Sequence, residues 1–299
     1  SESPIVAGLL YAGTDDGIVQ ISEDGGANWR RVDGLPGVPD NFFVNDIKAD
    51  LHDADTVYVV VDDHKSGDYS PYILKSENRG RKWRSISANL PERDVLLRVV
   101  QDHVNPHLLF VGAGTGVFFT VDGGRQWTRL AGGVPTIAFR DLVIQTREND
   151  LVGATFGRSF YVFDDYSPLR SVTAEMLQNE TVLFPVRRAH WYVQRRPLSC
   201  ARTGCVDSQG HSYFVAPNPD YGANFTYYLP EQIRSAKERR QEAEKARIGL
   251  NEDVGFPGWE QIGAEEREDA PAIVFTVSDT FGNVIRHLAG PADAGFHRV

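Results

Sequence analysis

One eight-residue pattern, Ser/Thr-x-Asp/Asn-x-Gly-x-x-Trp, occurs three times in this chain and constrains its fold more than any other feature. It reads Ser22-Glu-Asp24-Gly-Gly26-Ala-Asn-Trp29, then Ser76-Glu-Asn78-Arg-Gly80-Arg-Lys-Trp83, then Thr120-Val-Asp122-Gly-Gly124-Arg-Gln-Trp127. Each residue type has a mechanical task. The carboxylate or amide oxygen accepts hydrogen bonds from amides of its own turn, and glycine supplies a positive φ. The hydroxyl ties down the strand before the turn, and the tryptophan offers a large ring to bury. The tryptophans recur 54 and 44 residues apart, and short apolar, β-branched runs precede each corner. The run Leu108 to Gly112, the break at Gly114 to Gly116 and the run Val117 to Thr120 form one hairpin. A polar insertion, Asp63 to Pro71, accounts for the longer interval. A repeat of about 40–45 residues with four short strands is the signature of a propeller blade.

On these residues the corners resemble the Asp-box (BNR) repeats of sialidases, xyloglucanases and the sortilin receptors. The order of segments resembles exported bacterial proteins described as sortilin-like or glycosyl-hydrolase-like. In that group the box blades end in a segment similar to Asp150 to Arg158, followed by Tyr161 to Asp165 and Ser167 to Arg170. The resemblance implies that the boxes lie at the blade periphery, away from an axial ligand site. It also implies an immunoglobulin-like β-sandwich after the propeller. The expected fold is therefore all-β: about three and a half blades over residues 1–175, then a sandwich over 176–299 with a helical insertion at 230–248. The fourth blade holds Asp164 to Pro168 at its box position, without the tryptophan, as fits a blade leaving the repeat. Three and a half blades do not close a ring.

The insertion follows from composition. Residues 230–247 are rich in Glu, Lys, Arg, Gln and Ala, with Pro230 before them and Gly249 after. Its apolar stripe is thin, Ile233, Ala236, Ala243 and Ala246, which predicts a largely solvated helix. Strands are expected at 181–184, 190–193, 225–228, 271–277 and 284–288.

The balance of 31 basic against 41 acidic residues, with no basic run, argues against nucleic acid or an anionic membrane surface as partner. No apolar run reaches the ~18–20 residues of a membrane-crossing helix. The N-terminus carries no charged-then-apolar leader, so an export signal is expected to have been removed or never included. The resemblance implies a secreted or periplasmic setting. The two cysteines, Cys200 and Cys205, sit four residues apart in a loop-like stretch, where a small disulfide and two free thiols both fit. No metal site and no cofactor are expected.

Glycoside hydrolysis needs two carboxyl groups facing one bond. Asp15 is the leading candidate, with Asp16 beside it. Tyr11-Ala-Gly-Thr-Asp15 is similar to the Tyr-x-Arg-Thr-Asp stretch that carries a catalytic aspartate in xyloglucanases. It departs from that stretch in Gly13 for Arg, and in Asp16-Gly17 where Val-Gly-Gly follows. His64, with Asp62, Asp63 and Asp68, forms either a solvated insertion or a calcium-binding or ligand-facing loop, and Asp141 is a further candidate carboxylate. Arg140 and Arg158 follow strands where an anionic group would be held, although no third arginine or Tyr-Glu pair completes a sialidase set. The sequence thus points to a propeller that binds, and in one version hydrolyses, a glycan. Two alternatives stand beside it: a sortilin-like module that captures peptides or proteins, and a structural propeller that pairs with another copy to complete its ring.

Overall fold

The computed structural model describes residues 1–32, 34–173, 175–189 and 222–299, which divide into two units, Ser1–Thr173 and Ala174–Val299. In the first unit fourteen strands form four consecutive antiparallel sheets. Sheet one contains β1 (Leu10–Gly13), β2 (Val19–Ser22) and β3 (Arg30–Arg31). Sheet two contains β4 (Phe43–Ala49), β5 (Val57–Asp63), β6 (Asp68–Ser76) and β7 (Arg84–Ser85). Sheet three contains β8 (Leu96–Gln101), β9 (Leu109–Ala113), β10 (Gly116–Thr120) and β11 (Thr128–Arg129). Sheet four contains β12 (Phe139–Gln145), β13 (Asp150–Thr155) and β14 (Phe160–Phe163). Each is a meander whose spatial order follows the chain. Sheet one lacks the first strand of a full blade; an isolated bridge from Glu2 to Leu10 stands in that place.

Apolar residues on both faces of the middle sheets explain why the sheets stack. In β5, Val57, Val59 and Val61 join Tyr11, Val19 and Ile21 of sheet one, while Tyr58 and Val60 join Leu96, Val99 and Val111 of sheet three. Phe110, Val117 and Phe119 then meet Phe139, Leu142 and Leu151 of sheet four. Consecutive strand residues serve alternate faces, so one apolar strand supplies two interfaces. The first strands β4, β8 and β12 lie side by side along the inner edge. The result is a partial β-propeller.

All three corners close by one hydrogen-bond pattern. The hydroxyl donates to the acidic or amide oxygen two residues on, at 2.8 Å for Ser22 and Asp24, 3.0 Å for Ser76 and Asn78, and 2.7 Å for Thr120 and Asp122. The same hydroxyl accepts the amides of Gly26, Gly80 and Gly124 at 2.8, 2.8 and 3.0 Å. The side-chain oxygen in turn accepts amides at the end of the turn, from Asn28, Lys82 and Gln126. Only a carbonyl-type acceptor is needed, which is why Asn78 serves. The Asn28 amide and side chain, together with the Ser22 hydroxyl, hold the Asp24 carboxyl down at about 2.

The tryptophans depart from the expectation of uniform burial. Trp127 is 4% exposed, Trp83 is half-buried and Trp29 is 43% exposed. A corner ring packs against the preceding blade, and sheet one has no such neighbour among the described residues. At the fourth box position there is no corner of this kind. Tyr166 enters the core, a 3-10 turn runs over Ser167–Ser171, and Arg170 reaches back to Asp102.

In the second unit a short helix, α1 (Met176–Asn179), precedes β15 (Val182–Leu183), and β16 (Thr226–Leu229) follows. Helices α2 (Ala236–Gly249) and α3 (Trp259–Arg267) lead to β17 (Ile273–Ser278), β18 (Val284–Gly290) and β19 (Gly295–Arg298). The sheets are β15-β16-β19 and the hairpin β17-β18. They share a small core in which Tyr227 meets Phe275 edge-on, centroids 5.1 Å apart. The helix starts later than the expected 230, because Ser235 and Glu238 form a reciprocal capping box. Helix α3 was not foreseen; it is held to α2 by Arg240, which donates to both carboxylate oxygens of Glu265 at 2.7 and 2.8 Å. The expected strand at 190–193 and the cysteines Cys200 and Cys205 lie outside the described residues. No helix among the described residues is long and apolar enough to cross a membrane.

Candidate functional site

Antiparallel alternation sorts the loops of the first unit between two ends. The corners and the turns after β4, β8 and β12 lie at one end. The β1–β2, β5–β6, β9–β10 and β13–β14 turns, with the links from blade to blade, lie at the other. Asp15, Asp16, Asp62, Asp63, His64, Arg140 and Arg158 all fall at this second end.

Their local roles differ. Thr14 holds its turn through its amide to the Ile18 carbonyl (3.0 Å) and its hydroxyl to Asp16, while Asp15 is exposed with no hydrogen-bond partner among the described residues. Gly17 has φ +82°, and a β-carbon there would stand 3.0 Å from the Phe42 carbonyl oxygen, so the turn must be this tight. Asp62 is buried. It accepts the side-chain amide of Asn45 at 2.6 Å and is paired with the His64 ring, and Asn45 donates also to the Leu96 carbonyl at 2.7 Å. Asp62 therefore builds the loop and ties two blades, leaving Asp63 and His64 nearer solvent. Arg140 lies over the Phe156 ring at 5.5 Å.

At this end opens a cleft of about 310 Å³, lined by His64, Tyr69, Arg93, Asp94, Thr115 and Arg140 among others; of the residues named above, only His64 and Arg140 line it. The sequence reading missed Tyr69, Arg93 and Asp94. Asp94 sits in the link Glu92-Arg93-Asp94-Val95 between blades, where charged residues are ordinarily solvated, yet it is 3% exposed. Its one oxygen takes the Thr115 hydroxyl; the other, Oδ1, is buried without a hydrogen-bond partner among the described residues. Burial raises the Asp94 carboxyl above the usual carboxylate range.

A second cleft, about 430 Å³, runs along the inner strands. Each strand is bulged at the same height: pairing skips Asn45 in β4, Leu97 in β8 and Arg140 in β12. The next residues, Asp46, Arg98 and Asp141, form a ladder in which Arg98 lies 3.3 Å from Asp46 and 2.8 Å from Asp141. Burial raises the Asp46 carboxyl, with the Val99 amide opposing. The bulges re-aim side chains at a sheet rim, as bulges next to functional surfaces do.

No family model matches this chain, and no curated protein sequence matches it. Solved structures do. A GH74 xyloglucanase from Xanthomonas campestris is 22% identical over 57% of this chain and 29% of its own, with a TM-score of 0.44. An ancestral GH74 enzyme is 18% identical over 52% and 21%, TM-score 0.42. YCF48 from Cyanidioschyzon merolae is 14% identical over 56% and 52%, TM-score 0.42. The matched region thus spans about half or less of each of these chains, and the likeness assigns no activity.

Proposed function

We propose that this chain belongs to an exported propeller protein whose loop end binds a glycan, with Asp15, or Asp16 beside it, as one carboxylate of any hydrolytic step and the second about half a ring away. In this reading the three corners are Asp-box turns, and the second unit is an immunoglobulin-like module carrying a helical insertion. The observation that carries it is the chemistry of the 310 Å³ cleft: ring faces of the Tyr69 type beside guanidinium, hydroxyl and carboxyl groups. A sugar offers the complement, apolar ring faces edged with hydroxyls. The test is a glycan array on the intact chain together with reducing-sugar release from β-glucans and xyloglucan. Retention on the array is expected. Release that disappears in Asp15→Asn would assign hydrolysis to that turn. Neither retention nor release would end the carbohydrate reading in favour of peptide capture.

A second reading, ring completion by pairing, is favoured by sheet four. The row Val143, Val152, Val162 repeats the position of Val100, Phe110, Phe119, by which sheet three meets sheet four. Yet Val143 and Val162 are 55% and 54% exposed, and Phe160 is 72% exposed. An apolar sheet face of this kind associates unless covered. Light scattering is expected to show a dimer that Val162→Lys dissociates; a monodisperse monomer at high concentration would rule pairing out.

A further inference from the structure

The chain has ten more acidic than basic residues, and the arginines of the first unit mostly have carboxylates or carbonyls to hold. Arg79 pairs with Asp55 and Glu23, Arg81 with Glu23, Arg98 with Asp46 and Asp141, and Arg170 with Asp102. Arg93 and Arg140 differ. Neither has an ion-pair partner among the described residues, and each guanidinium is instead laid over an aromatic ring, Arg93 on Tyr69 at 5.8 Å and Arg140 on Phe156 at 5.5 Å. Both line the same cleft. Stacking on a ring fixes the plane of a guanidinium while leaving its edge N–H groups unused, which is the preparation a planar anion requires.

The third wall is Asp94. An ionised carboxylate there would cancel part of the positive field; burial raises this carboxyl, while the Thr115 hydroxyl opposes that shift. Its Oδ2 is engaged by Thr115, and Oδ1 has no partner among the described residues. Gly114 packs closely against it, since a β-carbon there would stand 3.0 Å from Oδ1.

We propose that this cleft takes an acidic sugar, a uronic acid residue whose carboxylate is held by Arg93 and Arg140, with the Thr115–Asp94 pair beside it in the lining. The inference rests on the glycan reading above and narrows it from glycans in general to anionic ones.

The test is calorimetric titration of the full chain with trigalacturonic acid and, in parallel, with a neutral xyloglucan oligosaccharide. Trigalacturonic acid is expected to bind, with affinity falling as salt rises. Arg93→Gln and Arg140→Gln are each expected to weaken it by on the order of tenfold, the scale of one charge-assisted hydrogen bond lost. Both sites are exposed, and an unchanged thermal midpoint would show that the variants fold. Binding of the neutral oligosaccharide alone would overturn the inference and leave the glycan reading standing. Binding of neither would remove both. Acidic-sugar binding that survives the double variant would place it elsewhere and likewise overturn the inference.

Discussion

Trp127→Ala is expected to lower the unfolding free energy of the first unit by about 3–5 kcal/mol, while Trp29→Ala lowers it by roughly 1 kcal/mol or less. The two residues hold the same place in the same eight-residue pattern, so sequence alone would give them equal weight. Their surroundings differ. The Trp127 indole N–H donates to the Ile86 carbonyl of the preceding blade at 2.7 Å. Its backbone N–H and carbonyl are bracketed by Asn89 at 2.7 and 2.9 Å, and its ring packs with Tyr58, Leu90 and Leu96. Removing it opens a cavity at an interface between blades. Trp29 donates instead to Gly26 of its own corner at 3.0 Å and keeps 43% of its surface in water. Urea denaturation of both variants checks the contrast, and equal losses would show that corner rings act locally rather than between blades.

Arg170→Ala is the other change with a large expected effect, about 3–5 kcal/mol, because it strands a charge inside the protein. Asp102 is 0% exposed. It receives Arg170 through Nε at 2.9 Å and Nη2 at 2.7 Å, the Tyr166 hydroxyl at 2.7 Å and the Asn105 amide at 2.6 Å. Burial alone would push the Asp102 carboxyl up; these donors outweigh it and hold it below the usual range. The contribution is therefore present above the ordinary carboxylate range and is lost as pH falls through the lowered value. The double change Asp102→Asn with Arg170→Met should recover much of the stability, since neither residue is then charged. A loss under about 1 kcal/mol in Arg170→Ala would mean that water reaches Asp102.

The corners and the order of strands were legible in the sequence because each depends on local chemistry: a hydroxyl, an acceptor, a glycine and a short apolar run. What lies between blades was less so. Gly112 and Gly153 were read within strand runs, but nothing in the sequence showed that together they form a slot for Phe139. A β-carbon on either would lie 2.6 Å from Phe139 atoms. Asp15, Asp16, Asp62, Asp63, His64, Arg140 and Arg158 were picked singly, and alternation of antiparallel strands brings them to one end. Asp94 was missed because its burial comes from blade stacking, to which the link Glu92-Arg93-Asp94 gives no clue. Asp46 and Arg98 were hidden by the bulges.

Those bulges divide every inner strand into two phases. Val44 and Ile47, Leu96 and Val99, and Phe139 and Leu142 each reach the same blade interface although they stand three residues apart, a spacing that simple two-residue alternation forbids. A single strand can thus hold its neighbour with both its halves and still turn one polar side chain toward the axis at its midpoint. The propeller acquires a belt of chemically variable positions at constant height, free to change charge from blade to blade without disturbing the hydrophobic seams on either side.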